Sequence, residues 1–308
     1  MISLRSTFLF QAGIGISANT FLLFFCIFTV LLDNRPKHTD MTTSHLAVVH
    51  IMLLLSVVFL VSPNLFESLN FQDGLKCKVL FYMNRVMRGL SICTTCLLSV
   101  LQAITISPST SWLARFKHTF TNYTFHIVAL FWSLSLSCNS YIIFHTTASS
   151  NVTQTDMLLF NKYCLISPMN SIIRSLIFTL MLSRHVFFVG IMLLSSAYMV
   201  VLLFRHKRRS QHLHSTNLSS RASPEKRATR TILLLVSCFV VMYWVDFSIS
   251  SSLVLSWVHD SVIRGVQGLL SNVYAIVSPL VLVSSDKRII NILRHMRQKC
   301  HRFLTSEP

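Results

Sequence analysis

The sequence predicts an all-α membrane protein, a bundle of seven transmembrane helices with an extracellular N-terminus and a cytoplasmic C-terminus. Three observations carry this prediction. Of the 308 residues, 52 % are hydrophobic and only 12 % are charged, about half the charged share of a soluble domain. Seven apolar stretches are long enough to cross a hydrocarbon core of about 30 Å. Basic residues outnumber acidic ones by 27 to 10 and lie mostly on one side of these stretches.

The seven predicted spans follow one another in a single seven-helix domain, residues 1–308. A span needs about 20 mostly apolar residues. The first is about 25 residues long, which exceeds the apolar core of a signal peptide, so we interpret it as an uncleaved helix. The predicted spans are 8–32, 46–66, 80–106, 126–144, 186–204, 231–257 and 265–283, followed by a basic cytoplasmic tail at 284–308.

A further apolar stretch, Ile172–Leu182, precedes the fifth span and contains Arg174. The stretch and the span together exceed the roughly 20 residues that one transmembrane helix requires. Arg184 and His185 separate the two. The stretch is therefore interpreted as a partly buried extracellular segment that leads into the fifth helix.

The distribution of lysine and arginine predicts the orientation, because these residues are retained on the cytoplasmic side. With the N-terminus outside, the cytoplasmic segments hold 18 of them, the outer segments 7, and the third helix 2. The basic tail and loop are expected to contact the anionic lipid of the inner leaflet. Since location in the membrane explains the positive charge, no nucleic-acid partner is expected.

Cysteines and glycosylation triplets bear on the same topology. Cys77 and Cys164 are the two cysteines on the predicted outer side, where disulfides persist, and a bond between them would tie the third helix to the following long loop. Glycosylation triplets begin at Asn122, Asn151 and Asn217. Only Asn151 lies outside in this topology, so it alone is expected to carry sugar.

Polar residues recur at helical spacing within four spans and predict an interior able to hold a small ligand. Hydrogen bonding between helices is the alternative explanation for the serines and threonines. Asp246 is the one acid well inside a span; it is expected to contact ligand or to pair with Arg88, unless it is protonated or hydrated. The inward faces are predicted to carry Arg85, Arg88, Thr95, Ser99 and Gln102; Ser133, Ser137 and Ser140; Tyr243, Asp246 and Ser250; and Gln267, Ser271, Tyr274 and Ser278.

Catalytic, metal and cofactor sites are not expected. Cys93 and Cys96 have redox spacing but lie in an apolar helix rather than at an exposed helix start. The histidines of the basic loop, His206, His212 and His214, have no cysteine or acid beside them, so no metal site is predicted. Hydrolase and nucleotide-binding motifs are missing, and no matching pair of broken helices indicates a transporter.

Three long strings resemble the third, sixth and seventh helices of vomeronasal type-1 receptors, a family of pheromone-type G-protein-coupled receptors. They are Leu90–Pro108, Ser223–Phe239 with Tyr243–Asp246, and Tyr274–Arg288. The third helix ends without Asp-Arg-Tyr, which separates the chain from amine and peptide receptors. Bitter-taste-type receptors share the general design, but the outer cysteine pair and the Ser-Pro-Glu segment favour the vomeronasal family.

The resemblance implies a chemosensory receptor of the cell membrane. It would bind a small pheromone-like ligand in the outer half of the bundle and activate a heterotrimeric G protein, of the inhibitory class. The family's disulfide and glycosylation site match Cys77, Cys164 and Asn151. A small transporter or channel is the less favoured alternative. The ligand-binding candidates are Arg88, Tyr243, Asp246, Ser250 and Tyr274, and the candidates facing the G protein are Arg205, Arg208, Arg209 and Lys226.

Overall fold

Helices make up nearly all of the structure, a computed structural model of the chain. It describes residues 2–32, 38–62, 73–108, 112–148, 164–166, 170–213 and 261–285, with separate helical positions between 234 and 245 and at 289 and 298. The helices are α1 (Ile2–Leu32), α2 (His38–Val61), α3 (Asp73–Ile106), α4 (Trp112–Asn139), α5 (Tyr141–His145), α6 (Ser171–Leu213) and α7 (Ser261–Ser285), and the strands are β1 (Thr146–Ala148) and β2 (Cys164–Ile166).

Five of the described helical segments are long and apolar enough to cross a membrane. This finding agrees with the predicted helical membrane protein. The predicted sixth span, 231–257, lies mostly outside the described residues. The five segments are Arg5–Leu31, Thr39–Val61, Lys78–Ile106, Tyr123–His145 and Ser171–Leu202, and α7 holds a shorter apolar stretch, Asn272–Ser284.

The α3 helix lies at the centre of the described bundle. Within its apolar window 78 % of the residues are buried, against 22 % for α1. It packs against α2, α4 and α6, while α1 packs against α2 and α7. One apolar cluster joins Ile92 of α3 to Phe188 and Met192 of α6. In lipid such packing stabilises the bundle through van der Waals contact.

The fifth span differs from its prediction. The α6 helix runs without a break from Ser171 to Leu213, so Ile172–Leu182 is continuous with the fifth span and is not a separate segment before it. His185 Nδ1 donates to the Met181 carbonyl at 2.6 Å, on the preceding turn of the same helix. The apolar surroundings favour continued helix because it satisfies every backbone group internally, and a single arginine does not interrupt it.

The fourth span also departs from a single helix. The chain turns at Ser140, between α4 and α5, where the Ser140 amide donates to the Ser137 carbonyl at 3.2 Å. Asn139 Nδ2 donates to the Ser135 carbonyl at 2.7 Å. Such side-chain donors compete with the helical ladder and favour a tighter turn. Beyond α5, β1 and β2 pair antiparallel, with Ala148 opposite Cys164, a short hairpin that an all-α prediction omits.

Candidate functional site

A network of buried polar side chains joins α2, α3 and α7 at the centre of the bundle. His50 is fully buried, with Nε2 2.8 Å from Ser91 Oγ and Nδ1 3.1 Å from Ser278 Oγ. The hydroxyls of Thr95 and Tyr274 share a hydrogen bond of 2.9 Å. The Tyr274 ring stands edge-on to the imidazole of His50, with centroids 5.5 Å apart. The network couples three helices, because moving one of them disturbs partners on both others.

Two of the predicted seventh-helix residues thus have described positions. Tyr274 and Ser278 are both buried and face α2 and α3. The side chains of Gln267 and Ser271, on the same helix, lie outside the described residues. The helical spacing therefore predicted the buried positions of Tyr274 and Ser278 correctly. The contact between Tyr274 and a ligand stays a prediction.

The two arginines of α3 have different surroundings. Arg88 is half-buried, whereas Arg85 is exposed, so the prediction that both point into the bundle is wrong for Arg85. Arg85 lies a turn nearer the start of α3, and a long arginine side chain on an outer face can extend its charged end toward water or headgroups. Arg88 keeps its place as a ligand-binding candidate.

The inward face of α4 differs from the predicted one. Ser133 and Ser137 are exposed, and each hydroxyl donates to the carbonyl four residues earlier, at 2.9 and 2.8 Å. The buried polar residues of this helix include Ser135 and Asn139. The predicted stripe fails because a serine bonded to its own helix needs no partner in the bundle and can face lipid.

Arg184 of α6 belongs to the candidate site, although the sequence pattern predicted only that it separates the apolar stretch from the fifth span. It lies within the membrane-length segment Ser171–Leu202, and its Nε and Nη1 are buried without a hydrogen-bond partner among the described residues. Nη2 donates to Met181 Sδ at 3.5 Å. A charge inside a long apolar run was the signal, since intramembrane charges are rare and mark function.

The other predicted ligand-binding residues, Tyr243, Asp246 and Ser250, lie outside the described residues. The same holds for Lys226 and for the side chain of Arg209 among the candidates facing the G protein. Arg205 and Arg208 are exposed near the end of α6. This helix continues past Leu202, the end of its membrane-length segment, so both arginines extend beyond the apolar region.

Two hydrogen bonds join α3 to α6 in the halves of these helices that lead toward Arg205. The hydroxyls of Ser99 and Ser195 lie 2.6 Å apart. At the residue that follows α3, Ser107 Oγ lies 2.9 Å from the Tyr198 hydroxyl of α6. Polar contacts between transmembrane helices are worth about 0.6 kcal/mol on average. These two therefore bias the relative position of α3 and α6 without locking it.

The predicted disulfide falls between elements that pack together. Cys77 lies in α3 and Cys164 begins β2, and the hairpin packs against α3. The side chains of both cysteines lie outside the described residues, as does Asn151. The disulfide and the glycosylation therefore stay predictions. Cys93 and Cys96 are free thiols buried in α3, where the apolar surroundings favour packing over redox chemistry.

An apolar groove of about 730 Å³ lies between α1 and α7, on the outer surface of the described bundle. Phe10, Phe21 and Gly13 line it together with Leu280. Phe10 is 70 % exposed, which places this surface toward the bilayer. The groove therefore suits acyl chains of membrane lipid and lies apart from the buried network around His50.

Comparison with known proteins gives one consistent result. The sequence profile of the vomeronasal organ pheromone receptor family matches residues 2–295. Vomeronasal type-1 receptor 90 of Rattus norvegicus is 41 % identical over 298 residues, covering 96 % of this chain and 95 % of the rat protein. Vomeronasal type-1 receptor 94 of the same species is 40 % identical over 294 residues, with 96 % and 90 % covered. Vomeronasal type-1 receptor A11 of Mus musculus is 40 % identical over 292 residues, with 95 % and 91 % covered.

Proposed function

The chain belongs to the vomeronasal organ pheromone receptor family, and we propose that it binds a small pheromone-like molecule in the outer half of its bundle. We propose further that it activates a heterotrimeric G protein of the inhibitory class. Its family makes it a chemosensory membrane receptor and not an enzyme. The family match over residues 2–295 carries this proposal. The same match favours a vomeronasal receptor over the bitter-taste and transporter alternatives.

The ligand end of the proposal rests on polar groups inside the bundle. Arg88 and Tyr274 lie on α3 and α7, and the Tyr274 hydroxyl bonds to Thr95. A ligand that replaces this bond changes how α7 packs on α3. Ligand binding shifts a conformational equilibrium only through such a difference in contacts between two states. Tyr243, Asp246 and Ser250 are proposed to complete the pocket from the sixth span.

The coupling end of the proposal rests on α6. Between Leu202 and Leu213 this helix continues for about 16 Å, at 1.5 Å per residue, and it carries the exposed Arg205 and Arg208. With the N-terminus outside, this extension reaches into the cytoplasm. Arg209 and Lys226 are proposed to join it in a basic surface for the G protein, where the anionic inner leaflet also contributes contacts.

Signal transfer between the two ends is proposed to use α3. It contributes Thr95 to the central network, and Ser107, the residue that follows its last turn, bonds to Tyr198 of α6. A movement of α3 at the network therefore alters its contact with α6 near the coupling surface. The proposed disulfide between Cys77 and Cys164 holds the opposite end of α3 to the hairpin, which gives this movement a fixed point.

The test is ligand-evoked guanine-nucleotide exchange in membranes that contain the receptor and an inhibitory-class G protein. Odorant and steroid-like compounds are screened, and an active compound is then applied to two variants. Removing the Tyr274 hydroxyl with Tyr274→Phe is expected to raise the half-maximal ligand concentration several-fold. Replacing both Arg205 and Arg208 by Gln is expected to lower maximal exchange while that concentration stays unchanged.

Arg85→Gln serves as the matched control, since it removes an exposed arginine that belongs neither to the proposed pocket nor to the coupling surface, and it should behave as the wild type. Substrate flux or current through the purified protein in liposomes without G protein would contradict the receptor mechanism. Exchange that depends on another G-protein class would overturn only the assignment to the inhibitory class.

A further inference from the structure

Arg184 on α6 presents buried hydrogen-bond donors that no described group accepts. Its Nε and Nη1 are the unpartnered nitrogens, and together they carry three of the five N–H donors of a guanidinium. The described part of the chain offers no carboxylate within hydrogen-bonding distance of them. A buried charge without a partner is costly in a membrane, so this position favours an acceptor that carries negative charge.

The neighbouring face of α4 adds two more unpartnered polar atoms. Ser135 Oγ and Asn139 Oδ1 are buried and have no hydrogen-bond partner within the described residues, and the two side chains are 1 % and 0 % exposed. Asn139 Nδ2 donates to the Ser135 carbonyl, so the two residues occupy successive turns of one face. Orphaned polar atoms are rare in protein interiors, and here two of them share one face of α4.

Gly89 of α3 brings the guanidinium and the hydroxyl together. A β-carbon at Gly89 would lie 2.9 Å from Arg184 Nη1 and 3.2 Å from Ser135 Oγ. Both polar groups therefore approach the same point on the α3 backbone. A larger residue would displace the guanidinium, so glycine is what lets an arginine of α6 lie beside a serine of α4.

We propose that Arg184 and Ser135, gathered at Gly89, form an anion subsite that takes the carboxylate of an otherwise apolar ligand; this deepens the proposed function and rests on it. A carboxylate matches the planar donor fork of arginine and accepts a further bond from the serine hydroxyl. Asn139 Oδ1 accepts from a hydroxyl or N–H elsewhere on the ligand. One turn along their helices, Ile92 and Phe188 pack in one apolar cluster, which suits an apolar remainder.

The probes are hexanoate and hexanamide, which share a chain and differ in the charge of the head group. The full-length receptor is purified in lipid nanodiscs, and its thermal unfolding is followed against the concentration of each probe, without G protein. Hexanoate is expected to raise the unfolding temperature, because a ligand of the folded state stabilises it, and hexanamide is expected to leave it unchanged. Equal effects of both probes, or none from hexanoate, would overturn the subsite.

Substitutions test whether hexanoate binds at the proposed subsite. Arg184→Gln and Gly89→Ala are expected to weaken the apparent affinity for hexanoate by about tenfold or more, since charge-assisted hydrogen bonds are lost. Arg85→Gln is the control for a removed arginine, and Gly190→Ala for an added methyl, because a β-carbon at Gly190 meets nothing within 4 Å. An unchanged hexanoate response in Arg184→Gln would overturn the proposal.

If Arg184→Gln does not yield folded protein, Arg184→Lys keeps the charge and loses the planar fork, and an intermediate affinity is expected. A lysine variant that binds hexanoate as the wild type does would contradict the role of the fork. The binding assay contains no G protein, so the two proposals fail separately. A receptor that binds hexanoate but gives no nucleotide exchange with any screened compound would refute the coupling proposal and leave the subsite standing.

Discussion

Asn19 of α1 donates from Nδ2 to the carbonyl of Ala275 in α7, at 2.8 Å. Ala275 lies four residues before Pro279, which has no N–H to offer that carbonyl. In lipid a freed carbonyl must find another donor. The buried amide of Asn19 supplies it and so joins the first helix to the last described one.

We expect Asn19→Ala to lower the free energy of unfolding by about 1–3 kcal/mol, because the Ala275 carbonyl is left buried without a donor. Pro279→Ala restores a backbone N–H, so the same asparagine substitution should cost clearly less in that background. Thermal unfolding of the four proteins in nanodiscs measures the coupling. Ser17→Ala, whose hydroxyl donates to the Gly13 carbonyl on an exposed face, is the control. If Asn19→Ala lowers the free energy of unfolding equally with Pro279 and with Ala at that position, the prediction is wrong.

The hydrogen bond between α4 and α2 fixes a histidine tautomer. Trp132 Nε1 lies 3.0 Å from His45 Nε2, and an indole nitrogen only donates, so Nε2 accepts and the proton is on Nδ1, 3.2 Å from Thr94 Oγ1. We expect Trp132→Phe to lower the free energy of unfolding by about 0.6–1.7 kcal/mol, the range for polar contacts between membrane helices. In a His45→Ala background the loss should be smaller, as measured by thermal unfolding. An identical loss in both backgrounds would show that the bond contributes nothing.

The helices were predictable from the sequence because apolar runs of membrane length admit little besides helix. Polar faces were predictable only in part. In α7 the spacing placed Tyr274 and Ser278 inside the bundle. In α4 it selected Ser133 and Ser137, which face outward because their hydroxyls bond to their own helix. Serine spacing therefore does not identify a buried face, because a serine hydroxyl can donate to a backbone carbonyl of its own helix wherever it faces.

The anion subsite was hidden from the sequence for a different reason. Arg184 lies beside His185, and two polar residues in a row were interpreted as the boundary between two apolar segments. Only the packing of α6 on α3 shows that its guanidinium approaches Gly89. Three helices, α3, α4 and α6, contribute to the subsite. A local sequence pattern does not predict which turns of separate helices pack against one another.

The orientation of the chain leads to a prediction about glycosylation. With the N-terminus outside, Asn151 lies in the lumen during synthesis, while Asn122 and Asn217 lie in the cytoplasm. Treatment with peptide N-glycosidase should therefore lower the apparent mass of the wild type and have no effect on Asn151→Gln. Asn217→Gln is the matched control and should retain the wild-type shift on a gel. Sugar at Asn217 would reverse the orientation of the bundle and of the proposed coupling surface.

Two glycines that lie two residues apart in α1, on nearly opposite faces of the helix, should respond in opposite ways to the same added methyl. A β-carbon at Gly15 would lie 2.6 Å from Leu54 Cδ1 and 2.9 Å from Ile276 Cγ1, whereas one at Gly13 meets nothing within 4 Å. Gly15→Ala therefore overpacks the junction of α1, α2 and α7, and we expect a loss of about 1–3 kcal/mol in the free energy of unfolding.

Gly13→Ala adds its methyl on the open side of α1 and should raise helix stability by about 0.5–1 kcal/mol, because alanine restricts the unfolded backbone more than glycine does. Thermal unfolding of both variants in nanodiscs, together with their surface expression in cells, measures the contrast. Since helix propensity changes equally at the two positions, the difference between the variants isolates the packing cost. Equal stability of the two proteins would mean that α1 does not approach Leu54 and Ile276 as closely as these distances require.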